Sequence, residues 1–209
     1  KGLQSKGHHV RVLTSDYFLD NDEPGLGLDV VRALRCKALT HELIPPDSFL
    51  SQYYNFHNIR AIGNALRRFR PDVVLAFNLH GLGVISIVQF LQRLQMPLVL
   101  YLMDNIFTGI SHDSSLHTAY ERIFGRFELS ALTRVVAMSR NVADEVEVTM
   151  KMPLGDVDFV PGWVQLELLG GRELKHRRNG CTKFVFCSRV APHKGTELLL
   201  DAAIQLVRQ

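Results

Sequence analysis

Two cations share one short loop, Ser188-Arg189-Val190-Ala191-Pro192-His193-Lys194-Gly195, between the apolar run Phe184–Cys187 and a stretch with helical spacing. The backbone N–H groups at a helix start already favour an anion. Arg189 and Lys194 beside them would neutralise a diphosphate, the guanidinium gripping two oxygens at once. On spacing alone, a solvated basic loop is the plainer reading. Three further polar clusters follow apolar runs: Asn78-Leu79-His80-Gly81, Asp104-Asn105 and Ser139-Arg140. Asn78 and His80 suit sugar hydroxyls or a proton transfer. Gly81 and Gly83 beside them permit close backbone approach. Asp104 offers a carboxylate to a hydroxyl nucleophile. Each has a plainer alternative, His80 as a helix-start histidine and Asp104 as an N-cap or turn former.

Such clusters act together only if the chain brings them to one edge. Ligands in open α/β sheets bind at the carboxyl ends of the strands. The chain supplies the strands. Val10–Thr14, Leu28–Leu34, Val73–Phe77, Leu98–Met103, Arg134–Met138, Val157–Val160 and Phe184–Cys187 read as strands. Leu98–Met103 is apolar almost throughout, the pattern of a sheet covered on both faces. Helical spacing marks Asn58–Phe69 and Gly81–Leu94. It also marks a segment with Leu116, Tyr120, Ile123, Phe124 and Phe127 on one face, and Lys194–Val207 with Leu198, Leu199, Ala202 and Leu206 inward. Ser139 caps a further helix that runs to about Met150. Residues 16–27 read as a loop, Pro45 and Pro46 as breakers, and 104–115 as a polar loop. Strand and helix alternate from about Asn58 onward, which predicts a doubly wound parallel sheet of Rossmann-like type. A Gly-flanked polar stretch at 170–182 reads as a linker between 1–169 and the opening of a second domain at 183–209.

Composition narrows the field. Of 209 residues, 46% are hydrophobic and 22% charged, enough for a real core. A net charge of +3 is far below that of a dedicated nucleic-acid binder. Cys36, Cys181 and Cys187 form no CxxC pair, which fits a reducing cytoplasm better than a disulfide framework. No apolar run has the roughly 20 residues that a spanning helix needs. His8, His9, His112 and His117 lack a zinc-ligand pattern such as HExxH. No GxSxG elbow or P-loop occurs, and Gly25 and Gly27 sit in a loop rather than at a strand-to-helix turn. Arg60, Arg67, Arg68 and Arg70 make segment 58–70 a basic amphipathic helix. It suits either a solvated face or contact with an anionic membrane surface.

Six segments in order resemble the family 4 glycosyltransferases. Gly7-His8-His9-Val10-Arg11-Val12-Leu13-Thr14-Ser15 is similar to their second strand. Arg70-Pro71-Asp72-Val73-Val74, followed by Asn78-Leu79-His80-Gly81, is similar to their PDVV…HG segment. Met96-Pro97-Leu98-Val99 through Asp104, Leu132-Thr133-Arg134-Val135-Val136-Ala137-Met138-Ser139, Val157–Gly162 and Ser188–Gly195 resemble the four that follow. The resemblance implies a GT-B fold, with an acceptor-side domain and the first β-α unit of a donor-binding domain. It implies a retaining, metal-independent transfer from a nucleoside-diphosphate sugar, a co-substrate rather than a cofactor. The acceptor would be a glycan or lipid-linked molecule in polysaccharide or glycolipid biosynthesis. Arg189 and Lys194 occupy the positions that hold the donor diphosphate. His80 and Asp104 fall to the catalytic side, and Asn78, Asn105 and Ser139 to the acceptor.

The chain departs from the pattern at Met103, where the family often carries histidine before the aspartate, at Gly162 and at Ser188. The family's first strand would precede residue 1 and its paired-glutamate motif would follow residue 209, so the resemblance implies a fragment inactive alone. A GT-B-type sugar-nucleotide epimerase, or a non-catalytic module binding a glycan or a partner, would share much of this pattern.

Overall fold

A computed structural model describes residues 2–15, 29–36, 53–108, 110, 114–162 and 194–207. The chain divides into two compact units, Lys1–Trp163 and Val164–Gln209. After the helical turn α1 (Gly2–Ser5), strands β1 (Arg11–Ser15) and β2 (Asp29–Leu34) pair in parallel, Arg11 opposite Asp29. Arg11 Nε donates to Asp29 Oδ2 at 2.6 Å across that pair. A second parallel sheet contains β3 (Val74–Phe77), β4 (Leu98–Leu102), β5 (Thr133–Ala137) and β6 (Val157–Phe159), in that spatial order.

Parallel neighbours need a crossover, and helices supply it. α2 (Phe56–Phe69) lies between β2 and β3, which belong to different sheets, and α3 (Val84–Arg93), α4 (Ser115–Phe124) and α5 (Arg140–Met150) join the paired strands of the larger sheet. This is the α/β architecture with parallel sheets that the alternation predicts. Leu98, Leu100 and Leu102 of β4 are all buried, because β4 lies between two strands. β3 is equally apolar in sequence, yet Leu75 and Phe77 are 54% and 49% exposed. Among the described residues it has one hydrogen-bonded neighbour, so its open side leaves those two side chains half exposed.

Several boundaries shift for local reasons. α2 starts at Phe56, ahead of the expected Asn58, because Asn55 caps it and accepts from the Asn58 N–H at 3.1 Å. α3 starts at Val84, not Gly81, since Gly81 and Gly83 hold φ of 73° and 89°. Ser139 caps α5 as expected, its Oγ accepting from the Val142 N–H. α4 stops at Phe124. Ile123 therefore faces outward rather than joining the apolar face, while Phe127, beyond the helix end, is buried. The segment after Leu102, read as a polar loop, buries Ile106, Phe107 and Ile110.

A buried polar bond ties two helices. The Tyr120 hydroxyl donates to Gln89 Oε1 at 2.7 Å, and Gln89 Nε2 donates to the Gly125 carbonyl. Burial pushes the Tyr120 phenol up to about 12, with Arg93 opposing and Tyr54 adding to the shift.

In the second unit the described helix is α6 (Thr196–Val207). Leu198, Leu199, Ala202 and Leu206 are exposed on it, not inward as expected. Apolar side chains at 198, 199, 200, 204 and 206 surround this helix, so periodicity defines no single buried face. The expected loop at 16–27, Pro45 and Pro46, the linker at 170–182, strand Phe184–Cys187, Cys181, Cys187, His112 and Arg189 lie outside the described residues.

Candidate functional site

The register of the larger sheet gathers the site. Phe77 lies opposite Tyr101, and Leu102 opposite Ala137. The segments that begin at Asn78, Met103 and Met138 therefore leave one edge of the sheet side by side. Asn78, His80, Asp104, Asn105 and Ser139 all follow the carboxyl ends of adjacent parallel strands. The ladders continue a step past the strands, with Met138 N–H donating to Leu102 O and Val160 N–H to Ala137 O. Tyr101 adds a brace within the sheet. Its ring stacks on Phe77 at 5.1 Å and its hydroxyl donates to the Val160 carbonyl at 2.8 Å.

The five side chains divide into two groups. Asn78 and Asp104 are exposed and His80 is half-buried, and none of the three makes a side-chain hydrogen bond within the described residues. They are the groups available to a ligand. Asn105 and Ser139 have structural work. Asn105 Nδ2 donates to Thr149 Oγ1 of α5 at 2.7 Å, and its Oδ1 accepts from the Phe107 N–H at 3.2 Å. Thr108 Oγ1 donates to the Asn105 carbonyl at 2.6 Å. Asn105 thus folds its own loop and fastens it to α5. Ser139 Oγ is occupied by the α5 cap.

The loop after β3 is held from outside. Asn58, fully buried on α2, makes three side-chain bonds. Its Oδ1 accepts from Arg35 N–H at 2.8 Å, and its Nδ2 donates to Arg35 O at 3.0 Å and to Leu82 O at 2.9 Å. One amide therefore ties the end of β2 to the segment that carries His80. Neighbours reinforce it. Asn55 N–H donates to Ser86 Oγ, which donates to the Gly83 carbonyl, and the Cys36 thiol lies 3.8 Å from the His80 carbonyl. Asn78 itself holds φ of 48°, a left-handed conformation that asparagine tolerates better than most residues. Sequence reading passed over Asn58. The Asn55-x-x-Asn58 pair at the start of a helical stretch was the available signal.

Lys194 is exposed just ahead of α6, where the Leu199 N–H donates to the Gly195 carbonyl and Gly195 has φ of 74°. It belongs to the second unit, and its expected partner Arg189 lies outside the described residues.

Perturbed charges sit elsewhere. Arg134 of β5 grips Asp158 of β6 with two bonds at 2.7 and 3.0 Å. That contact holds the Asp158 carboxyl below the usual carboxylate range. A cleft of about 970 Å³, bordered by His117, Glu121, Thr133, Met150 and Asp156, opens where β5 begins. It lies at the amino end of that strand, away from the strand-end groups. Among the described residues no group of three or more His, Cys, Asp or Glu side chains could hold a metal ion. No described helix is long and apolar enough to cross a membrane.

The family model of Glycosyltransferase Family 4 matches residues 1–168. No curated protein and no solved structure matches the chain.

Proposed function

Because the chain belongs to Glycosyltransferase Family 4, we propose that it transfers a sugar from a nucleoside-diphosphate sugar to a glycan or lipid-linked acceptor, with retention and without a metal. The family match over residues 1–168 carries this reading. The gathering of Asn78, His80 and Asp104 at the carboxyl edge of the β3–β5 sheet supports it.

In this reading Asn78 hydrogen-bonds acceptor hydroxyls. His80 and Asp104 take part in proton transfer at the acceptor oxygen. Asn105 and Ser139 act on the acceptor side by fixing the loops that carry these groups. Arg189 and Lys194 neutralise the diphosphate as it leaves, an electrostatic contribution to the transition state. The nucleotide sugar is a substrate, and no further cofactor takes part.

A binding screen of the protein against UDP-, GDP- and ADP-sugars tests the proposal. One nucleotide class should bind, and Arg189→Ala should weaken it by about tenfold or more, the cost of a charge-assisted contact. Absence of binding to every nucleotide sugar would overturn it. That outcome would favour a non-catalytic module, the reading to which Met103 lends support. Binding that yields an epimerised nucleotide sugar with no acceptor would indicate the epimerase instead.

A further inference from the structure

We propose that the cleft where β5 begins is a second binding site, separate from the strand-end groups, for a neutral oligosaccharide. Its volume of about 970 Å³ is that of a small-molecule site. Its walls are the connections 126–132 and 151–156, which lead into β5 and β6. Both walls are pinned. Gln89 Nε2 donates to the Gly125 and Arg126 carbonyls at 3.2 and 3.4 Å. Gln92 Nε2 donates to Thr133 Oγ1 at 3.1 Å, where the first wall meets its strand. On the other side, the Leu154 N–H donates to Glu147 Oε1 at 2.8 Å. Phe127, Met150 and Leu154, which border the cleft, are themselves buried. The cleft is therefore preformed, and a ligand need not order it.

Two features of the lining select the ligand. Its charges balance, with Glu121, Glu128 and Asp156 set against Arg126, Arg134 and Lys151. Some are neutralised in place: Arg126 Nε lies 3.9 Å from Glu128, and Arg134 grips Asp158. No net field therefore draws an ion of either sign. The same groups set donors beside acceptors, which matches sugar hydroxyls, since each hydroxyl both donates and accepts. Phe127, Met150 and Leu154 add apolar surface for the C–H face of a sugar ring. The cleft and the Ser139 edge lie at opposite ends of a five-residue strand, on the order of 15 Å apart. A glycan held in the cleft stays near the transfer site at raised local concentration. That role rests on the transfer reading, whereas the binding itself does not.

Calorimetric titration of the protein with neutral oligosaccharides of glucose, mannose, galactose and N-acetylglucosamine tests this without any nucleotide sugar. It therefore fails separately from the transfer reading, which the nucleotide-sugar screen decides. At least one neutral oligosaccharide should bind, with an affinity that added salt leaves unchanged. Oligogalacturonate of the same length should bind more weakly. Ala131 is exposed and borders the cleft, so Ala131→Trp should fill it and abolish binding at an unchanged melting temperature. Arg126 and Glu128 are exposed as well, and Arg126→Ala or Glu128→Ala should each weaken binding about fivefold, the loss of one hydrogen bond. Those two variants decide the matter if the tryptophan disturbs the fold. Binding of none of the four neutral classes, a preference for the uronate, or cleft variants that bind like the parent would overturn the proposal. So would loss of binding in Asp104→Ala with Ala131→Trp unaffected, which would place the sugar at the strand-end groups instead.

Discussion

The loops after β3 and β4 leave adjacent strands at the same edge, yet they are held in opposite ways. The β4 loop supplies its own anchor, with Asn105 bonded to α5 and Ile106, Phe107 and Ile110 driven into the core. The β3 loop also buries Leu79 and Leu82, but its polar side chains Asn78 and His80 make no hydrogen bond among the described residues. It relies on left-handed backbone at Asn78, Gly81 and Gly83, and on an amide that reaches in from α2. The difference has a consequence for function. A loop that anchors itself has fewer polar groups to offer a ligand, and after β4 that leaves Asp104. A loop held from outside keeps both Asn78 and His80 available.

The largest effect should come from the outside anchor. Asn58→Ala removes three hydrogen bonds, one buried and two part-buried, and takes a partner from the Arg35 N–H and the Leu82 carbonyl, while the Arg35 carbonyl keeps Asn55 Nδ2. At about 1 kcal/mol per bond the loss is about 3 kcal/mol, a fall in Tm on the order of 10 °C. Hydrogen exchange should rise first at the amides around Leu79–Gly83, while the β4 loop stays protected. A loss under about 1 kcal/mol, or exchange that rises equally in both loops, would show that the two are not held independently.

Asn58 also marks where sequence reading stops. The strand-end groups were legible because apolar runs followed by polar residues fix both the strands and their carboxyl ends. β4 and β5 came out within a residue of their expected spans for that reason. Asn58 has partners 23 and 24 residues away, and local spacing shows only a polar residue in the first turn of a helix. Coverage was hidden in the same way. β3 and β4 are both apolar runs, and only pairing order reveals that Leu75 and Phe77 are half exposed. Ile106, Phe107 and Ile110 sit in a segment with no period, so their burial depends on neighbours that the pattern does not name.

The internal anchor should matter less. Asn105→Ala breaks the bonds to Thr149 and to the Phe107 N–H, at a site that water can partly reach. A loss of about 1–2 kcal/mol follows. A double-mutant cycle with Thr149→Val should return a coupling of about 1 kcal/mol, since the two side chains touch. Coupling near zero would mean that the buried Phe107 and Ile110 hold the loop without help from the amide.

The smallest effect separates backbone from side chain at Asn78. The residue has φ of 48°, a left-handed conformation that glycine adopts freely, asparagine tolerates and alanine resists. Asn78→Ala should therefore cost about 1 kcal/mol and Asn78→Gly close to nothing. The exposed side chain makes no bond among the described residues, so its removal should not unfold the loop. Asn78→Gly then becomes the informative variant for function. It preserves the backbone that delivers His80 while deleting the amide proposed to meet an acceptor hydroxyl. A higher acceptor KM with unchanged melting temperature would assign that amide to binding. Unchanged kinetics in the glycine variant, beside a destabilised alanine variant, would show that asparagine stands here for its tolerance of the turn alone.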